Sequence, residues 1–163
     1  MDEGYFSHIP LLAMAVLNTT GPVLELGAGL GSTLMLHGLC CGLERELTTL
    51  ESNKEWLERF LPFTNSWHTI KEVSSFKGLV EYRRSWGLAF VDHGIMEQRE
   101  DSIKALIETP IIVVHDTCHP WHYGYEPLLS TFKYRFDWQV RGPKTSIVSQ
   151  TINVANLFVE RNL

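Results

Sequence analysis

Short apolar runs alternate with helically spaced stretches along the chain. Val23-Leu24-Glu25-Leu26, Leu47-Thr48-Thr49-Leu50 and Ile111-Ile112-Val113-Val114 are nearly continuous in apolar or β-branched residues, as strands covered on both faces are. Residues 86–91 join them, and 68–73 alternate like a strand nearer the sheet edge. Ile9, Leu12, Ala13 and Val16 share one face of an amphipathic helix expected over 6–18. Further helices are expected at 32–41, stopped by Gly42, at 53–60, closed by Pro62, at 97–108, ended by Thr109-Pro110, and at 125–132. Ser52 with Glu55 three residues on reads as a capping box. Residues 135–140 set Phe136, Trp138 and Val140 on one face, and 145–154 are rich in β-branched residues. The turn between these two runs is so short that they must pair antiparallel. Regular strand–helix alternation elsewhere predicts an α/β fold, a parallel sheet with helices on both sides.

Composition narrows the class. The 163 residues suit one domain, 44% hydrophobic and 20% charged, with no repeat or low-complexity tract. A net charge of -5 leaves no basic field for a nucleic-acid backbone, so no nucleic-acid partner is expected. Three cysteines, two of them adjacent at Cys40-Cys41, make no disulfide framework. Asp2, Glu3 and Pro10 spoil a signal or membrane segment at the start of the chain, so a cytoplasmic protein with no membrane partner is expected.

The candidate chemistry begins where the first strand ends. Gly27, Gly29 and Gly31 stand at alternate positions behind Glu25. Such glycines let the backbone approach a ligand, and the helix that follows aims unpaired N–H groups at it. The dinucleotide fingerprint needs its third glycine at position 32, which is Ser32, and no Gly-Lys-Ser/Thr follows for a phosphate loop. An acid at the loop mouth repels a pyrophosphate and suits a sulfonium or ammonium group. The run Glu25-Leu26-Gly27-Ala28-Gly29-Leu30-Gly31 resembles the first motif of class I S-adenosylmethionine-dependent methyltransferases.

The resemblance follows nearly the whole chain in order. It implies a Rossmann-like α/β fold: a mostly parallel seven-stranded sheet with a C-terminal antiparallel hairpin and helices on both faces. One domain would comprise an N-terminal helix (1–20), a cofactor-binding core (21–117) and a substrate-side part (118–163). Glu51 matches the family's ribose-binding acid at the end of the second strand, with Ser52 beside it. Glu25 would pair with the cofactor's amino group or order the loop formed by Gly27, Ala28, Gly29, Gly31 and Ser32. Ser74 or Ser75 would meet the adenine, and Phe76 could stack on it, although the family often has Asp there.

Two further strand ends carry polar groups, Asp92-His93-Gly94 and His115-Asp116-Thr117, expected to converge in one crevice. The second resembles small-molecule O-methyltransferases whose fifth strand ends in His-Asp-Thr. The Asp-Gly-x-His-x-Tyr pattern common after the fourth strand in that branch is absent, since His93 follows Asp92 directly. His93 is the first candidate base for a hydroxyl acceptor and His115 the second. Asp116 would orient an imidazole, and Asp92 would hold the cofactor's methionine part or the substrate. Asp92 and Asp116 are hard ligands for a divalent metal such as Mg²⁺. His115, Asp116, Cys118, His119 and His122 are donor types for zinc, at a spacing no helix or knuckle presents.

His119, Trp121, His122, Tyr123 and Tyr125 would line a substrate pocket or pack as a lid. Specificity falls to the N-terminal helix and to loops 94–99 and 118–125. The apolar N-terminal helix would also suit a partner subunit in a homo-oligomer. The function expected is methyl transfer to a small-molecule acceptor, with a non-catalytic cofactor-binding module and an NAD-dependent oxidoreductase as rivals.

Overall fold

A computed structural model describes residues 6–118, 124–140 and 142–158. Seven strands form one sheet: β1 (Val23–Leu26), β2 (Leu47–Glu51), β3 (His68–Glu72), β4 (Leu88–Val91), β5 (Ile112–Val114), β6 (Tyr134–Trp138) and β7 (Thr145–Ser149). Their order is β3-β2-β1-β4-β5-β7-β6. The first five run parallel, and β7 pairs antiparallel with both β5 and β6. The expected mixed sheet with its closing hairpin is thus present. Every position of β1, β2, β4, β5 and β7 is buried, whereas β3 at the edge exposes Thr69, Lys71 and Glu72.

Alternate strand residues feed two cores. Val23, Leu88, Phe90, Val113 and Ile147 face α1 (Ile9–Leu17), α2 (Ser32–Gly42) and a final 3₁₀ turn at Val154–Phe158. Leu24, Leu26, Ala89, Val91 and Val148 face α4 (Arg99–Ala105) and α5 (Glu126–Leu129). A short α3 (Lys54–Leu57) with Phe60 and Ile70 covers the loop at Ala28. That two-sided burial is why the sheet strands read as apolar runs rather than alternating ones.

Several expected boundaries shrink. The first helix starts at Ile9, because Pro10 fits only a first turn, and its buried stripe is Leu11, Leu12, Ala15 and Val16. This face packs inside the chain, so it is not available to a partner subunit as the sequence suggested. The third helix is one turn long and its cap is Asn53, whose side chain accepts from Trp56 N at 3.0 Å; Ser52 makes no capping box. The runs 97–108, 125–132 and 145–154 each break up, ending in turns or 3₁₀ geometry.

Candidate functional site

The strand order reverses between β1 and β4, and loops leaving their carboxyl ends part to make a cleft, where open α/β sheets bind ligands. The glycine loop forms one wall. Gly27 has φ +96°, and a Cβ there would sit 2.6 Å from His93 Cα. Its small size is therefore needed first for the loops after β1 and β4 to close on each other. Gly29 would meet only Ser32 Oγ, at 2.7 Å, and Gly31 begins α2 as a cap without a side chain.

Two acids hold this loop in place. Glu25 is wholly buried; Thr33 donates to both its oxygens (3.1 and 3.0 Å) and Thr49 to one (2.7 Å). Burial pushes its carboxyl up to about 7 against hydrogen bonds from Ser32, Thr49 and Thr33. Thr33 in turn accepts Gly29 N at 2.9 Å. Of the two roles expected for Glu25, this geometry matches ordering the loop, and a carboxylate sealed in this way does not reach a ligand's amino group. Glu51 Oε2 accepts Ala28 N at 2.8 Å, and its Oε1 accepts Ser52 N and Asn53 N, both at 2.7 Å. Trp56 Nε1 donates to Ala28 O at 2.6 Å and fastens α3 over the loop.

The cleft holds about 440 Å³ and is lined by Ala28, Gly29, Leu30 and Trp56 on one side and Asp92, His115 and Asp116 on the other, with His8, Arg99 and Pro143. That volume lies within the range typical of small-molecule sites. Asp92 Oδ1 accepts from His115 Nδ1 at 3.2 Å and from Arg99 Nη2 at 3.1 Å. Burial alone would raise Asp92, but these bonds and charges outweigh it and hold its carboxyl below the usual range. His115 moves the other way: burial disfavours its charge, yet Asp92 and Asp116 raise it above an ordinary imidazole. Because Nδ1 donates to Asp92, Nε2 is the acceptor nitrogen, and Ser7 Oγ bonds it at 2.9 Å. Asp116 adopts φ 59°, a strained turn that brings its carboxylate within 3.6 Å of Arg99 Nη1.

Three of the four polar side chains expected to converge therefore do so. His93 does not: it is fully buried, stacks on Phe76 at 3.8 Å and contacts Ser102 Oγ through Nε2 at 3.1 Å. Burial and the nearby Arg99 charge lower it to about 3, so it cannot serve as the first-choice base. Phe76, committed to that stack and fully buried, is not free to stack on a base. Ser74 is exposed, and Ser75 Oγ lies 3.1 Å from Gln98 Oε1, an amide that also accepts Phe76 N at 2.7 Å. Tyr125 is buried and donates to the carbonyls of His115 and Asp116, a packing role. His119, Trp121, His122 and Tyr123 lie outside the described residues.

Arg99 bridges Asp92 and Asp116, occupying as a guanidinium the cation position expected between them. Among the described residues, the potential metal ligands that cluster are instead His8, Asp92 and His115. His8, Arg99 and Trp56 were not among the expected site residues: His8 and Trp56 stand far along the chain from the groups they meet, whereas Arg99 lies only seven residues past Asp92. The only sequence signal for Arg99 is its place in loop 94–99.

No family model and no curated protein matches the sequence. Solved structures do resemble the fold. Cofactor-bound Rv0187 from MTB superposes with a TM-score of 0.65 at 16% identity, covering 88% of this chain and 78% of that one. An S-adenosylhomocysteine-bound methyltransferase of Podospora anserina, PaMTH1, gives 0.63 at 16% identity, with 85% and 75% covered. A precorrin-6y C5,15-methyltransferase of Geobacter metallireducens gives 0.53 at 15% identity, with 85% of each chain covered. The fold is the Rossmann-like fold of class I methyltransferases.

Proposed function

We propose that the chain binds S-adenosylmethionine and directs methyl transfer to a hydroxyl of a small-molecule acceptor. The observation that carries this reading is the meeting of the glycine loop with Asp92, His115 and Asp116 in one cleft at the sheet's switch point. The donor set fits a cationic ligand: two carboxylates face backbone that lacks side chains at Gly29, and a single guanidinium offsets them.

When bound, the cofactor supplies a methyl carbon already activated by its positive sulfur. The protein's task is then alignment, which in ideal intramolecular cases is worth up to roughly 7–11 kcal/mol. Asp92 and Asp116 place negative potential beside the sulfonium. Ala28 and Gly29 offer backbone contact, with Ser32 at the start of α2 behind them. Glu51 takes the ribose: Oε2 accepts one N–H in the structure and keeps a second lone pair for a hydroxyl. Ser52, Ser74 and Ser75 stand on the loops after β2 and β3, toward the adenine end. His115, oriented by Asp92 through Nδ1, exchanges its Ser7 contact for the acceptor hydroxyl and takes up the proton at Nε2.

The test is transfer of labelled methyl from S-adenosylmethionine across a panel of small hydroxyl compounds. Turnover should fall by at least roughly 100-fold in His115→Ala, the usual scale for losing a general base, with S-adenosylhomocysteine still bound. Binding without transfer to any acceptor would leave a cofactor-binding module.

A further inference from the structure

His8 has no part in the reaction above, yet it is the residue in the cleft with most left undone. It precedes α1, is 3% exposed and lines the cleft, and among the described residues neither of its ring nitrogens has a hydrogen-bond partner. Leaving a buried polar group unmet costs on the order of 1–3 kcal/mol. Native proteins rarely leave such a group unmet without a role for it, and a ligand supplied from outside is one explanation. The ring is not free to turn away: it lies edge-on to His115 at 4.7 Å and leans on Phe90 at 5.1 Å.

We propose that His8, Asp92 and His115 form a binding site for a divalent transition-metal ion of the zinc type. One ligand atom from each residue falls within 4.8 Å of the others, close enough to surround one ion. Two imidazoles and one carboxylate are a zinc donor set, and in catalytic zinc sites the fourth position stays open. Magnesium, which wants oxygen ligands and keeps its waters, is disfavoured by the imidazoles. Charge agrees as well. Asp92 and Asp116 carry two negative charges, Arg99 returns one positive, and neutral imidazoles leave a net single negative charge to meet the ion. Arg99 approaches Asp92 through Oδ1, leaving Oδ2 without a hydrogen bond among the described residues.

The site stands independently of methyl transfer.

Zn²⁺ titration of the metal-free full chain by calorimetry, at mildly alkaline pH, tests the proposal, with Co²⁺ absorption as the spectroscopic readout. One ion per chain should bind, with no intense sulfur-to-metal band. His8→Ala should weaken binding by at least roughly 100-fold, beyond the 10- to 100-fold typical of an outer-shell change. His8→Asn, with circular dichroism on both variants, guards against misfolding. Cys118→Ser should leave affinity unaltered. Absence of binding, a thiolate band, or loss in Cys118→Ser but not in the His8 variants would overturn the site. Parallel titration with S-adenosylhomocysteine separates the two claims: its binding without metal sinks only this one, and metal without it sinks only methyl transfer.

Discussion

The imidazole of His93 lies flat on the ring of Phe76, centroids 3.8 Å apart and planes 8° from parallel. This places the residue in the core beside α4 and leaves His115 and His8 as the imidazoles that meet the cleft among the described residues. His93→Phe, which keeps a ring in the stack and gives up the Ser102 contact, should cost about 1 kcal/mol of stability. Turnover should stay within about twofold of wild type, against the loss of roughly 100-fold expected for His115→Ala. Matched kinetics of the two variants decide which histidine acts, and a collapse of rate in His93→Phe with the fold intact would reverse the assignment.

Glu25 makes stability depend on pH in a particular direction. Its folded pKa of about 7 stands above the ordinary value of 4.5, so the folded chain holds this proton more tightly. Its contribution to stability is complete below the unfolded pKa and is lost as pH rises from about 4.5 through about 7. The loss is on the order of 3 kcal/mol. Glu25→Gln should therefore show a flatter stability profile than wild type across that window. Urea unfolding at mildly acidic and mildly alkaline pH measures the difference, and parallel profiles for the two proteins would remove Glu25 as the source.

Two loop glycines should differ sharply. Gly27→Ala meets both a left-handed backbone, φ +96°, and the main chain at Asp92 and His93, 2.6–2.7 Å away. Gly29→Ala conflicts only with the hydroxyl of Ser32, a side chain able to rotate. The first substitution should cost more than about 3 kcal/mol or prevent folding, and the second roughly 1 kcal/mol. Thermal melts of the pair provide the check; equal effects would mean that the loop is not pinned against β4.

The sheet was legible because parallel strands covered on both faces leave continuous apolar runs, and Val23–Leu26, Leu88–Val91 and Ile112–Val114 do so. The switch-point loops were legible for the same reason, since the first of these runs ends in spaced glycines and the other two in polar residues. Side-chain direction was not. Asp92 and His93 are neighbours in sequence, and consecutive residues leaving a strand face opposite ways, so one entered the cleft and the other the core. Nor did spacing reveal that Glu25, inside the motif, would spend its oxygens on Thr33 and Thr49. His8 and Arg99 were invisible for another reason. Each meets His115 only through tertiary packing, across sequence separations that no local pattern spans.

Calorimetric titration of the wild-type chain with S-adenosylhomocysteine, repeated on Glu51→Ala, bears most directly on what the cleft holds. The wild type should bind one molecule and ignore NAD⁺, with affinity reduced at least about tenfold in the variant, the loss of one good hydrogen-bonded contact. No binding to the wild type, or an affinity that the substitution leaves unaltered, would contradict an adenosyl donor seated between the glycine loop and the end of β2.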